Sequence, residues 1–128
     1  MAYLDRDGAR IYYQAFGLPG GATPLLLTHG FSASSAMWQP NIAALAAARL
    51  VITWDLRGHG SSDAPDDLAR YSAEACVADM AALLDACGVA RVVAGGLSGP
   101  DVGSLIGLWA VCFLISAGGV ALLYKAFH

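Results

Sequence analysis

Apolar residues along this chain gather in short runs that are separated by polar, glycine-rich stretches. Residues 3–16 alternate apolar and polar positions around Asp7 and Gly8, a pair that is typical of a tight turn between antiparallel strands. Three later runs are almost entirely apolar, as in strands buried on both faces of a parallel sheet. These runs cover residues 24–28, 50–54 and 91–94. The pattern therefore predicts an opening hairpin followed by three buried parallel strands.

Two helices are predicted in the gaps between the buried strands. Residues 37–48 are helical by composition, and a second helix begins after Ser72, which can cap it, and ends before Gly88. The second helix is expected to turn one apolar face towards the core, formed by Val77, Met80, Leu83 and Leu84. This alternation of strands and helices is typical of an α/β fold with right-handed crossovers.

Charged residues divide the chain into two parts. Every Asp, Glu, Lys and Arg residue except Lys125 lies at or before Asp101, and residues 102–124 carry no charge. We take this break as the boundary between an α/β part, residues 1–100, and a hydrophobic segment, residues 101–128. A helix over residues 102–124 would be about 34 Å long, which is enough to span a bilayer.

A second interpretation of the hydrophobic segment stays open. Residues 103–117 could form a buried helix, followed by a turn at Gly118 and Gly119 and a strand over residues 120–127. That strand would lie beside the sheet of the α/β part. We favour the membrane span, because a helix that is apolar on every side needs either lipid or a large protein core around it.

The bulk composition narrows the classes of partner and compartment. The formal net charge is −3 and the basic residues are scattered, which gives no reason to expect a nucleic-acid partner. The three cysteines form no CxxC pair, and we expect no disulfide framework, no metal site and no cofactor. Asp5, Arg6 and Asp7 occupy the region where a signal peptide needs an apolar run. We therefore expect a cytoplasmic front domain that the hydrophobic segment anchors to a membrane.

Three polar motifs each follow one of the buried strands. Their one-letter sequences are HGF at residues 29–31, DLRGHGSS at residues 55–62 and GLS at residues 96–98. In order and spacing, these motifs make residues 1–98 resemble the N-terminal half of the α/β-hydrolase fold. On open α/β sheets, ligand sites lie at the carboxyl ends of the strands, where all three motifs fall.

The resemblance implies a role for each matching residue. Ser98 corresponds to the nucleophile, and the backbone N–H groups of Phe31 and Gly99 correspond to the two donors of the oxyanion hole. Loss of one such donor typically slows the reaction by about 10²–10³. The family's catalytic histidine follows the last strand, so no catalytic role is implied for His59. The residues implied to support the motifs are His29, Gly30, Asp55, Arg57, Gly58, Gly60 and Gly96.

Two features depart from the family's pattern. The serine turn ends with Pro100, where the family has glycine. A serine hydroxyl also needs a base and an orienting carboxylate, which in this family follow in the order serine, acid, histidine. After Ser98 the only acid is Asp101 and the only histidine is His128. Neither residue matches the family's position, so a catalytic triad cannot be assembled by resemblance.

These observations predict a truncated α/β-hydrolase-like sheet, with an N-terminal hairpin and parallel strands joined by crossover helices, followed by a C-terminal hydrophobic helix. The resemblance implies hydrolysis of a small-molecule ester or lactone through Ser98, at a catalytically incomplete site. Two alternatives stay open: a membrane-tethered binding protein without catalysis, and the product of a truncated or frameshifted gene. Because the last buried strand would lack a neighbour, self-association is also expected, through the open sheet edge or through a GxxxG pair at Gly103 and Gly107.

Overall fold

The computed structural model describes residues 2–30, 32–96, 111–116 and 122–125, and of the last two segments it describes the backbone alone. The described residues form a sheet of seven strands in the order β1-β2-β4-β3-β5-β6-β7. The strands are β1 (Ala2–Arg6), β2 (Ala9–Phe16), β3 (Leu25–Thr28), β4 (Val51–Trp54), β5 (Arg91–Gly96), β6 (Val111–Ser116) and β7 (Leu122–Lys125). The helices are α1 (Gln39–Ala46) and α2 (Ala73–Ala86), with short 3₁₀ helices at Ser35–Trp38 and Leu68–Tyr71.

The opening hairpin is confirmed. Strands β1 and β2 pair antiparallel, with Arg6 opposite Ala9 next to the turn. Asp7 and Gly8 both adopt a positive φ, of 55° and 84°, as the tight turn between antiparallel strands requires. The Gly8 N–H also donates to the Asp5 carboxylate at 2.9 Å, which closes the turn.

The three buried strands form the parallel centre of the sheet, as predicted. β3 lies between β4 and β5 and runs parallel to both, with Leu26 opposite Ile52 on one side and Ala94 on the other. Since neighbouring residues of a strand face opposite sides, Leu26 and Leu27 contribute to different layers of the core. The layer of Leu26 packs against α2, and the layer of Leu27 packs against α1.

Helix α2 begins and ends where the sequence predicts. The Ser72 hydroxyl accepts a hydrogen bond from the Ala75 N–H at 3.1 Å, and Gly88 follows the helix with a φ of 68°. The predicted apolar face was wrong at Val77, which is 43% exposed. Cys76 packs against the core instead of Val77. Residues 76, 80, 83 and 84 share one face of the helix, and residue 77 lies outside that face.

The hydrophobic segment differs from the favoured expectation. Residues 111–116 and 122–125 are strands, so the continuous helix expected over residues 102–124 is wrong there. β6 pairs antiparallel with β5, which covers the sheet edge that was expected to stay open, and β7 pairs with β6. β7 lies within the strand of the second interpretation, residues 120–127, although its neighbour is β6. A run of apolar residues suits a buried strand as well as a helix, and periodicity alone does not separate the two.

Within the described part of the chain, no helix is both long enough and apolar enough to cross a bilayer. Gly103 and Gly107 lie outside the described residues, so the helix-packing role expected for them stays a prediction. The division of the chain at residue 100 likewise stays a prediction.

Candidate active site

The three polar motifs follow the carboxyl ends of three neighbouring parallel strands. In the parallel centre, Thr28 at the end of β3 is opposite both Trp54 of β4 and Gly96 of β5. A side chain at Gly96 would meet the Thr28 carbonyl oxygen at 3.2 Å, so the close approach of these two strands favours glycine there. The segments that begin at residues 29, 55 and 97 therefore start side by side. Phe31, Ser98 and Gly99 lie outside the described residues, and their predicted roles stay predictions.

His29 is buried between the first two motifs, with only 1% of its surface exposed. Its Nδ1 lies 2.7 Å from the Gly30 carbonyl oxygen, and its Nε2 lies 3.0 Å from the Leu56 backbone nitrogen. Because the Leu56 N–H donates to Nε2, the ring carries its proton on Nδ1 and donates it to Gly30. Burial is the main cause that lowers the pKa of His29, which favours this neutral form. With both ring nitrogens engaged, His29 serves as a brace between loops and is not placed to act as a base.

Asp55 is buried at the end of β4 and joins the same two loops from the other side. Its Oδ1 accepts the Ser35 N–H at 2.7 Å, and its Oδ2 accepts the Ser61 N–H at 2.9 Å. The carboxylate thus replaces water for two backbone donors, one after β3 and one after β4. Such hydrogen bonds to a charged acceptor contribute more than neutral ones, about 1.5–3 kcal/mol each.

Glycines give the turn over residues 55–62 its tight course. Gly58 and Gly60 have positive φ values of 75° and 48°, which disfavour side chains. A Cβ atom at Gly60 would also overlap the Asp55 carboxylate. Ser62 fastens the turn to β2, since its hydroxyl accepts the Tyr12 N–H at 2.8 Å and donates to the Asp55 carbonyl oxygen at 2.6 Å.

Arg57 makes hydrogen bonds within the fold. Its Nε and Nη2 donate to the two oxygens of Asp79 at 2.7 and 2.9 Å, in the two-pronged geometry that suits a guanidinium and a carboxylate. A third donor, Nη1, reaches the Arg70 carbonyl oxygen at 3.2 Å. Asp79 belongs to α2, is fully buried, and also accepts from Arg6 of β1 at 3.2 Å. This ion cluster ties the turn after β4 to the helix and to the edge hairpin.

His59 lies beside His29, with 4.9 Å between the ring centres. Its Nδ1 lies 2.9 Å from the Arg57 carbonyl oxygen, within its own turn. The described residues also contain no group of three or more His, Cys, Asp or Glu side chains arranged to hold a metal ion.

The sequence profile of the alpha/beta hydrolase fold matches residues 23–113 of this chain. The chain belongs to the alpha/beta hydrolase fold family. It is 36% identical over 111 residues to epoxide hydrolase 4 of Mus musculus, covering 86% of this chain and 30% of that protein. It is 31% identical over 105 residues to 3-oxoadipate enol-lactonase 1 of Acinetobacter baylyi, covering 82% of this chain and 37% of that protein.

The solved structures agree with this membership. The enol-lactonase from Burkholderia xenovorans superimposes with a TM-score of 0.68 and 33% identity, over 76% of this chain and 37% of that one. The chain thus spans about a third of the length of the hydrolases that it matches.

Sequence reasoning gave no specific role to three residues that hold the motif loops in place. Asp79 was not singled out, although an acid beside Met80 on the buried side of α2 is a recognisable signal for a paired charge. Ser35 and Ser62 were given no role because they act through one backbone N–H and one hydroxyl. Neither kind of contact produces a pattern along the chain.

Proposed function

We propose that this chain carries the nucleophile half of a hydrolase site that acts on a carboxylic ester or lactone. Ser98 is the nucleophile, and the backbone N–H groups of Phe31 and Gly99 stabilise the oxyanion. One observation supports this most directly: Thr28 and Gly96 are paired at the ends of neighbouring parallel strands. The loop after His29 and the turn that holds Ser98 therefore start from the same edge of the sheet.

The proposed reaction is an acyl transfer. The Ser98 hydroxyl oxygen forms a bond to the substrate's carbonyl carbon as its proton passes to a base, and negative charge collects on the carbonyl oxygen. Two N–H donors aimed at that oxygen lower the barrier. The carbonyl then re-forms as the bond to the alcohol oxygen breaks and that oxygen takes up a proton. Water attacks the resulting acyl-serine in the same way, which releases the acid and restores the hydroxyl.

The hydroxyl nucleophile favours acyl substrates over epoxides, although epoxide hydrolases are among the relatives. A serine that opened an epoxide would form an ether, and water does not cleave an ether under these conditions. A serine that attacks an ester or lactone forms an acyl ester, which water can hydrolyse. The enol-lactonases among the relatives are consistent with this substrate class.

After Ser98 the sequence contains one acid, Asp101, and one histidine, His128, and neither stands at the family's position. In the described part, His29 has both nitrogens engaged in bracing the loops. We therefore expect slow acylation of Ser98 and still slower hydrolysis of the acyl-serine, because no histidine after Ser98 matches the position of the family's base. General base catalysis typically contributes about 10²–10⁴ to such a step.

The test uses p-nitrophenyl acetate and intact-protein mass spectrometry. We expect an acetyl adduct that accumulates on Ser98 over time and disappears in the Ser98→Ala variant. Ser104, which stands outside all three motifs, provides the matched control, because Ser104→Ala should leave the adduct unchanged. Absence of any adduct on Ser98 would refute the proposed nucleophile. Rapid multiple turnover that depends on Ser98 would refute the proposed incompleteness.

A further inference from the structure

The loop after β3, residues 29–35, is held at both ends by the two residues that follow β4. At its start, the His29 ring accepts the Leu56 N–H at 3.0 Å. At its end, the Ser35 N–H donates to Asp55 Oδ1 at 2.7 Å. These two hydrogen bonds therefore hold the loop beside the residues that follow β4, in addition to its connection to helix α1.

Between these two anchors the backbone makes a tight turn. The Ala33 N–H donates to the Gly30 carbonyl oxygen at 3.1 Å, and Ser32 adopts a left-handed φ of 61°. A non-glycine residue in that conformation costs energy and persists only where surrounding contacts hold it. Residue 31, whose N–H is the oxyanion donor under the proposed function, stands between Gly30 and Ser32 in the sequence.

The hydrogen bond from Ser35 satisfies an N–H group that has no partner within its own helix. Ser35 begins a 3₁₀ helix, where backbone N–H groups lack a partner within the helix. Asp55 supplies that partner from a buried position, 2% exposed, and its second oxygen is occupied by the Ser61 N–H. A bond to a buried carboxylate holds the N–H in a fixed direction, whereas water would not.

We propose that Asp55 is a positioning residue for the oxyanion loop, acting through the Ser35 N–H. By holding the end of the loop against the residues that follow β4, it keeps the Ala33 N–H on the Gly30 carbonyl oxygen and Ser32 in its left-handed conformation. Under the proposed function, this loop carries one of the oxyanion donors. The catalytic consequence rests on the proposed function. The positioning itself does not, and it can be measured on the backbone.

The most direct test removes the donor of this hydrogen bond. Ser35→Pro deletes the N–H that Asp55 accepts, while proline suits the first position of a helical turn. The preceding Ser34 is already extended, with φ −148° and ψ 172°, as a residue before proline should be. Leu68→Pro is the matched control, because Leu68 begins the other 3₁₀ helix after the extended Asp67 and is 85% exposed.

Two readouts separate the positioning from the proposed function. The first is amide hydrogen exchange: in Ser35→Pro we expect the Ala33 N–H to exchange at least about tenfold faster, with unchanged exchange in strands β3 and β4. The second is acetylation of Ser98, whose maximal rate should fall at least about tenfold at an unchanged half-saturating concentration. The Leu68→Pro variant should match the parent chain in both.

The outcomes are distinct. Unchanged Ala33 exchange in a folded Ser35→Pro variant overturns the positioning role, whatever happens at Ser98. Faster exchange with no acetylation even in the parent chain leaves the positioning supported and refutes the proposed function. If Ser35→Pro does not fold, Asp55→Ala replaces it, since it removes both acceptor oxygens, with Asp63→Ala as the control, because both carboxylates accept a backbone N–H in this region.

Discussion

Replacing Arg57 by alanine should lower the free energy of unfolding far more than replacing Arg10, whose ion pair is exposed. The Arg57 side chain is 9% exposed and contacts an Asp79 side chain that is 1% exposed. Without Arg57, the buried carboxylate keeps only the Arg6 contact at 3.2 Å. Breaking a buried ion pair on one side typically costs about 3–5 kcal/mol, because a charge is left without compensation. Because the Arg6 contact remains, we expect the free energy of unfolding to fall by about 3 kcal/mol, the lower end of this range.

Arg10→Ala is the matched control, since Arg10 also pairs with a carboxylate, Asp63, at 3.2 Å. Its side chain is 61% exposed, so water replaces the lost partner and the effect should be several times smaller. Urea unfolding followed by circular dichroism measures both variants. With a typical slope of about 1–3 kcal/mol per molar urea, loss of Arg57 should lower the midpoint by roughly 1–3 M. Equal midpoint shifts for Arg57→Ala and Arg10→Ala would refute the reasoning.

Three further outcomes are expected. Gly60→Ala should lower the urea midpoint more than Gly8→Ala, because both glycines have positive φ but only the Gly60 substitution overlaps Asp55; equal losses would contradict the overlap. The pKa of His29 is lowered below its ordinary value of 6.5, so folding stability should fall as the pH drops below about 6.5, and His29→Gln should flatten this dependence between pH 7 and 5; an equal slope in the variant would contradict it. Burial raises the pKa of Cys76 to about 11, so iodoacetamide at pH 8 should modify it at least about 100-fold more slowly in the folded chain than in urea, as peptide mapping can measure; equal rates would contradict its burial.

The parallel centre of the sheet was predictable because its signals are local and redundant. Residues 24–28 are apolar, bounded by loops and followed by a motif, and the β3 strand lies within them. The turn at Asp7 and Gly8 and the cap at Ser72 are likewise set by neighbouring residues. Each of these features depends on a few consecutive residues, so the chain alone carries the information.

The hydrophobic segment was harder to predict for a physical reason. An unbroken apolar run satisfies a membrane helix, a buried helix or a buried strand equally well, and only the neighbour decides between them. Strand β6 is specified by pairing with β5, with Val93 opposite Leu114, and that contact joins residues far apart in sequence. Length and charge pattern therefore pointed to a helix where the sheet required strands.

Within the candidate site, sequence reasoning identified the motifs but not what holds them together. His29, Asp55 and Arg57 were singled out from the family pattern. In the structure His29 and Asp55 are buried and Arg57 is partly buried, and each has hydrogen-bond partners. The partners themselves, such as Asp79 and Ser35, come from a helix face and a backbone N–H. Contacts of that kind depend on the completed fold, which the order of residues does not display.

Under the proposed function, Ser98 attacks the substrate with the help of the oxyanion donors, but no acid or histidine after it stands at the family's position. The rate at which a fluorophosphonate probe modifies Ser98, located by peptide mass spectrometry, tests this central claim most directly. We predict modification that favours Ser98 over Ser104, at a rate at least about 100-fold below that of the matched enol-lactonase from Burkholderia xenovorans measured alongside. Modification of Ser98 as fast as in that enzyme, or no preference for Ser98 at all, would contradict the account.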